Sequence, residues 1–215
     1  MNSEIKTYWT DTCTKDDTVA FKRLYHAMFN RLMRFSIFYT GEREAAEEIV
    51  SEVFVRCWNN RKSLVEVEHP HTYLFVAVKN ESLKYRKKIS SVHLVEIPES
   101  EELKLVDMND PSLRLERKEL RHRLDQAIET LPNQARMVFK LIKENGLKYK
   151  EVAEILEISP RTVQTQLFRA IAKLRDVLAA EKPAGTRKNK GNDLINIVLL
   201  ISISEIILRT CRHFL

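Results

Sequence analysis

The chain of 215 residues carries a formal net charge of +6, and 44% of it is hydrophobic. That apolar content excludes global disorder, and the length allows one or two domains with buried cores. The positive balance suits a polyanionic partner, and three scattered cysteines, Cys13, Cys57 and Cys211, exclude a disulfide framework.

Apolar periodicity of the helical kind begins near Asp17. Val19, Phe21, Leu24, Tyr25, Met28, Phe29, Leu32, Met33, Phe35 and Ile37 make a wide apolar face that ends at Gly41. A second helix is expected from Glu42 to about Asn60, burying Ala45, Ala46, Ile49, Val50, Val53, Phe54, Cys57 and Trp58. Its other face carries Glu44, Glu47, Glu48, Ser51, Glu52 and Arg56. A loop over Arg61–His69 leads to Pro70, a residue suited to a first helical position. The helix it opens carries Tyr73, Leu74, Val76, Ala77, Val78, Asn80, Leu83 and Tyr85, and ends in the basic cluster Lys84, Arg86, Lys87 and Lys88.

Residues 89–112 break the pattern with Ser90-Ser91, Pro98, an acidic run and Asn109-Asp110-Pro111, and read as a linker. Fully extended, such a linker reaches at most roughly 80 Å at about 3.3 Å per residue. Helices resume at Leu113–Thr130 and Pro132–Asn145, with Gly146 as a left-handed cap. No segment sustains the alternation of a strand. The expected fold class is all-α: two small helical domains, 17–88 and 113–180, joined by a flexible linker, then a basic linker and an apolar tail over 181–215.

Residues 146–175 are the most informative stretch. Tyr149–Leu156 reads as a short helix burying Val152, Ala153 and Leu156. Glu157-Ile158-Ser159 makes a turn, and Ser159 caps a helix that begins at Pro160. At 100° per residue, Val163, Leu167, Ala170, Ile171 and Leu174 share the inward face. Arg161, Thr165, Phe168 and Arg169 fall opposite, flanked by Thr162, Gln164, Gln166 and Lys173. This is a helix-turn-helix pattern with an outward face of amides, hydroxyls and cations, which suits base edges and phosphates.

No nucleophile–base constellation, glycine-rich phosphate loop or paired-carboxylate motif stands out, and His69 and His71 lack a third ligand in sequence. An enzyme, a metal, a cofactor and a small-molecule substrate are therefore not expected. With no signal peptide ahead of Tyr8-Trp9, the expected compartment is the cytoplasm.

Two blocks carry a family resemblance covering about residues 17–178. Gly41–Trp58 followed by His69–Asn80 is similar to region 2 of bacterial RNA polymerase sigma factors. Leu131–Phe139 with the 146–175 hairpin is similar to region 4. In this order, with a short linker and no region 3 domain between them, the chain resembles the sigma-70 family. Within that family it resembles the extracytoplasmic-function group, and there the ferric-citrate-regulator-like branch common in Bacteroidetes.

The resemblance implies roles. The acidic edge at Glu48, Ser51, Glu52 and Arg56 would dock on core RNA polymerase. Tyr73, Lys79, Asn80, Lys84, Arg86, Lys87 and Lys88 would bind and open the −10 element. Arg161, Thr162, Gln164, Thr165, Gln166, Phe168, Arg169 and Lys173 would read the −35 element of promoter DNA. A membrane-spanning anti-sigma factor is the implied regulator.

Residues 194–208 form an apolar stretch outside the resemblance, reaching about 22 Å as a helix and so short of a roughly 30 Å hydrocarbon core. Two other readings stand beside the sigma factor: a stand-alone helix-turn-helix regulator, and a membrane-proximal signalling adaptor held through that tail.

Overall fold

The computed structural model describes residues 2–90 and 123–180. The linker expected at 89–112 lies outside the described residues from 91 onward, as do residues 113–122 of the helix expected at 113–130 and the apolar tail. Among the described residues every regular element is a helix. These are α1 (Asn2–Lys15), α2 (Thr18–Thr40), α3 (Arg43–Asn59), a 3₁₀ turn (Arg61–Leu64), α4 (Pro70–Ser90), α5 (described over 123–129), α6 (Asn133–Lys143), α7 (Tyr149–Leu156) and α8 (Pro160–Ala180). The described residues up to Leu174 belong to one compact unit.

Helical structure starts at Asn2, ahead of the apolar periodicity that begins at Asp17. α1 contributes Ile5, Trp9 and Cys13 to the core. Their i, i+4, i+8 spacing puts them on one stripe, which packs against α2, α4 and the 3₁₀ turn. The Trp9 indole N–H donates to the Leu64 carbonyl at 3.1 Å, and its ring meets Tyr73 edge-on at 5.5 Å. Asp17 then caps α2 by accepting from the backbone N–H groups of Val19 and Ala20.

α2 is the central helix of this lobe. Leu24, Met28, Leu32 and Phe35 are buried against α3 and α4. Val19, expected on that face, is 57% exposed, because the buried stripe of α2 begins at Ala20 and runs through Leu24 and Met28. Phe21, Tyr25, Phe54 and Trp58 build an aromatic cluster between α2 and α3, with centroid separations of 4.9–6.1 Å. Gly41 ends α2 with φ 73°, a left-handed conformation that favours glycine.

α4 runs two residues beyond Lys88, so the first linker residues are helical. Its core-facing side chains are Leu74, Phe75 and Val78. Phe75, absent from the expected stripe, is fully buried and meets Phe35 at 5.0 Å. Ser82 gives its proton to the Val78 carbonyl, so Ser36 donates across to Ser82 at 2.8 Å and ties α2 to α4.

In the C-terminal half, Arg136 clamps the α5–α6 turn. It pairs with the Glu129 carboxylate and donates to the Glu129 and Leu131 carbonyls. Gly146 adopts φ 67° and closes α6 as expected. Its N–H reaches the Ile142 carbonyl and that of Leu147 reaches Leu141, while both leucines are buried. In α7 it is Ile155, with Val152 and Ala153, that is buried; Leu156 is half-exposed. The inward stripe of this short helix is centred on Val152 and Ile155, one residue before the expected Leu156.

Candidate nucleic-acid interface

The turn between α7 and α8 is built as the sequence suggests. Glu157 ends α7 in the left-handed region at φ 56°, which bends the chain sharply, and the Ile158 N–H returns to the Ala153 carbonyl. The Ser159 hydroxyl accepts from the Thr162 N–H at 3.0 Å and so caps α8. Val163, Leu167, Ala170, Ile171 and Leu174 are all buried. With one face so committed, Arg161, Thr165, Phe168, Arg169 and Lys173 are exposed, and Thr162, Gln164 and Gln166 are half-exposed.

Phe168 has 46% of its surface open, an unusual position for a ring that no core shelters. Thr165 donates its hydroxyl to the Arg161 carbonyl at 2.9 Å. The Gln166 amide N–H donates to the Gln134 side-chain carbonyl on α6 at 3.0 Å.

The seven candidates on α4 divide. Asn80, Lys84, Arg86, Lys87 and Lys88 are exposed. Tyr73 is half-buried under Trp9 and lines an open groove of about 560 Å³ between α3 and α4, shared with Arg56, Asn80 and Lys84. Lys79 differs from the expectation. Its side chain is 5% exposed, and its ammonium pairs with Glu157 of the α7–α8 turn at 2.6 Å. α7 packs on α4 at this point, which takes Lys79 out of water and out of reach of a nucleic acid in this conformation. Arg31 of α2 makes a second bridge, donating to the Glu144 carbonyl at 3.4 Å.

On α3, Glu48, Glu52 and Arg56 are exposed and Ser51 is half-exposed. Two further residues belong to this surface that the sequence reading passed over. Val55, 56% exposed, sits a heptad beyond Glu48 and adds an apolar spot to the acidic edge; its placement on the charged face was visible in the periodicity. Glu81 of α4 accepts from both Arg56 and Lys84 at 2.9 Å. Burial works against its charge, but the bonds from Lys84 and Arg56 hold the carboxyl below its usual range. The candidate polymerase edge and the candidate −10 helix therefore share one carboxylate.

His69 is exposed and His71 buried, so the pair flanking Pro70 do not converge. Among the described residues, no His, Cys, Asp and Glu side chains gather as a metal site, and no helix is long and apolar enough to cross a membrane.

Residues 24–91 match the family described as Sigma-70 region 2, and residues 121–174 match Sigma-70, region 4. The chain belongs to the sigma-70 family. The two matches fall on the α2–α4 lobe and on the helix-turn-helix half, in the order that the two sequence blocks suggest. Among curated sigma-70 relatives, RNA polymerase sigma factor YlaC of Bacillus subtilis is 25% identical over 152 residues, covering 71% of this chain and 88% of YlaC. The ECF RNA polymerase sigma-E factor of Escherichia coli is 28% identical over 130 residues, 57% of this chain and 68% of the relative. In fold, the chain is similar to the sigma factor RpoE from Bartonella quintana, solved in complex with the anti-sigma factor NepR. The TM-score is 0.54 at 20% identity, covering 75% of this chain and 98% of RpoE.

Proposed function

We propose that this chain is an extracytoplasmic-function sigma factor of the ferric-citrate-regulator-like branch, acting in the cytoplasm. It binds core RNA polymerase, directs it to promoters, helps melt the −10 region and leaves the chemistry of RNA synthesis to the polymerase. The observation that carries this reading is the pairing on one chain of a region 2 match with a region 4 match whose recognition helix turns a polar face outward.

The domains follow as 17–88 for region 2, with α1 packed on it, 89–112 for the linker and 113–180 for region 4. The exposed edge of Glu48, Ser51, Glu52 and Arg56, with Val55 among them, binds core polymerase. Asn80, Lys84, Arg86, Lys87 and Lys88 hold the melted −10 strand. Amides and aromatic rings engage unstacked bases, and cations grip the strand backbone; Tyr73 contributes from the groove. Arg161, Thr162, Gln164, Thr165, Gln166, Phe168, Arg169 and Lys173 take the −35 element in the major groove, where a recognition helix reads base edges.

Promoter binding requires the lobes to part. Elements about 25 base pairs apart lie roughly 85 Å from each other at about 3.4 Å per pair, yet Lys79 and Glu157, on the two DNA-binding surfaces, are in contact. The proposed linker, at about 3.3 Å per extended residue, allows that separation together with the width of the lobes themselves. Opening also returns Lys79 to the −10 surface. By analogy with a structural relative seen bound to an anti-sigma factor, an anti-sigma factor, membrane-spanning in this branch, is the proposed regulator of that opening.

Holoenzyme assembly tests the reading. The chain is expected to co-elute with sigma-free core polymerase, and Glu48→Arg with Glu52→Arg to abolish co-elution while the fold persists. Specific duplex binding without polymerase, together with indifference to those reversals, would instead establish a stand-alone regulator.

A further inference from the structure

We propose that Gln134, on the first turn of α6, is a positioning residue for sequence readout: it fixes the amide of Gln166 so that Gln166 selects an A·T pair in the −35 element. The proposal rests on the −35 assignment of α8 made above, and deepens it.

A glutamine amide has one carbonyl oxygen and two N–H donors. The Gln166 amide spends one N–H on the Gln134 carbonyl, at 3.0 Å. What remains is a carbonyl and one N–H, the set that adenine's major-groove edge requires: the carbonyl accepts from N6–H and the N–H donates to N7. A free glutamine side chain rotates among many rotamers and can turn its amide over, exchanging donor for acceptor. Bound through nitrogen to a carbonyl, it turns over only if the Gln134 amide turns over with it, because otherwise two carbonyl oxygens meet.

The backbone at each end of this bond is held separately. Gln134 lies between the buried Leu131 and the buried Ala135 and Val138, on a turn that Arg136 clamps through the Glu129 carboxylate and the Glu129 and Leu131 carbonyls. Gln166 lies beside the buried Leu167, on a helix whose first turn is fixed by the Ser159 cap. Gln134 is exposed and Gln166 half-exposed, so the pair stands at the rim of the outward face and not in the core.

The experiment uses the full chain loaded on core polymerase and a promoter pool randomised across the −35 element, with bound DNA sequenced. Wild type is expected to favour A·T at one position by roughly tenfold, the size of a good bidentate contact, and Gln166→Ala to remove that preference. Gln134→Met keeps the bulk and loses the acceptor, and is expected to reduce the preference at that position to within about threefold of none while leaving the others intact. Gln134→Glu restores the acceptor and is expected to restore the preference, with weaker overall binding from the added negative charge. A merely structural clip would instead weaken every position of the element alike, not the one that Gln166 reads.

If Gln166→Ala relaxes one position and Gln134→Met does not, the positioning role is wrong and the −35 assignment stands. If Met and Glu variants lose the preference equally, the positioning role is also wrong. If Gln166→Ala changes no position, the proposal falls together with the −35 role of Gln166.

Discussion

The Lys79 ammonium lies 2.6 Å from the Glu157 carboxylate, with the lysine side chain 5% exposed and the glutamate side chain 77% exposed. The asymmetry decides what each substitution does. A buried ammonium needs a partner or water, whereas an exposed carboxylate finds water when its partner is gone. Glu157→Ala therefore strands Lys79, and the lobes are expected to separate to rehydrate it. Lysine-specific acylation should reach Lys79 faster in this variant, and small-angle scattering should show a larger radius. Lys79→Met removes the buried charge and leaves Glu157 solvated, so the docked form is expected to persist. The hydrogen bond and charge of Lys79 hold the Glu157 carboxyl below its usual range. The pair is thus intact at neutral pH and lost only as pH falls through that lowered value.

Trp9 ties the N-terminal helix to the rest of its lobe, being 2% exposed, bonded to the Leu64 carbonyl and stacked edge-on with Tyr73. Trp9→Ala is expected to cost about 3–5 kcal/mol in urea denaturation, the usual loss for a buried tryptophan. It should also disturb the Tyr73 side of the groove.

His71 is buried on α4, with neither ring nitrogen hydrogen-bonded among the described residues. Burial, reinforced by the Arg31 charge, lowers its pKa from 6.5 to about 4. The unfolded chain then takes up a proton before the folded one does, so stability contributed by neutral His71 is full above the ordinary value and lost as pH falls from 6.5 towards about 4. Between pH 7 and pH 5 this group alone is expected to remove about 2 kcal/mol. His71→Phe should abolish that part of the slope in paired denaturation curves.

Phe168 separates function from stability. At 46% exposure it packs on little, so Phe168→Ala is expected to change stability by no more than about 0.5 kcal/mol. Promoter binding by the holoenzyme should nevertheless weaken by on the order of 1 kcal/mol, the size of an apolar contact to a base methyl. Equal loss of both would make Phe168 a structural residue.

What the sequence discloses here depends on how far a residue's environment is set by near neighbours. The inward face of α8, Val163 through Leu174, follows from periodicity alone, and the Ser159 cap and the Gly146 terminus follow from residue type and its immediate neighbours. α1 hides because its threonines, Thr7, Thr10, Thr12 and Thr14, are weak helix formers, and because its buried stripe is thin. Lys79 looks like its exposed neighbours in a basic helix. Its burial comes from Glu157, distant in sequence and brought in by tertiary docking. Glu81 and Gln134 are likewise ordinary polar residues in the sequence; the approach of α3 gives Glu81 its bond from Arg56, and that of α8 gives Gln134 its bond from Gln166.

Transcription in vitro tests the central claim most directly. The chain is added to sigma-free core polymerase on a genomic fragment library, and RNA start sites are sequenced. The account predicts new starts that share one motif near −35 and another near −10, lost on charge reversal at Glu48 and Glu52. No new starts from an assembled, folded complex would contradict it.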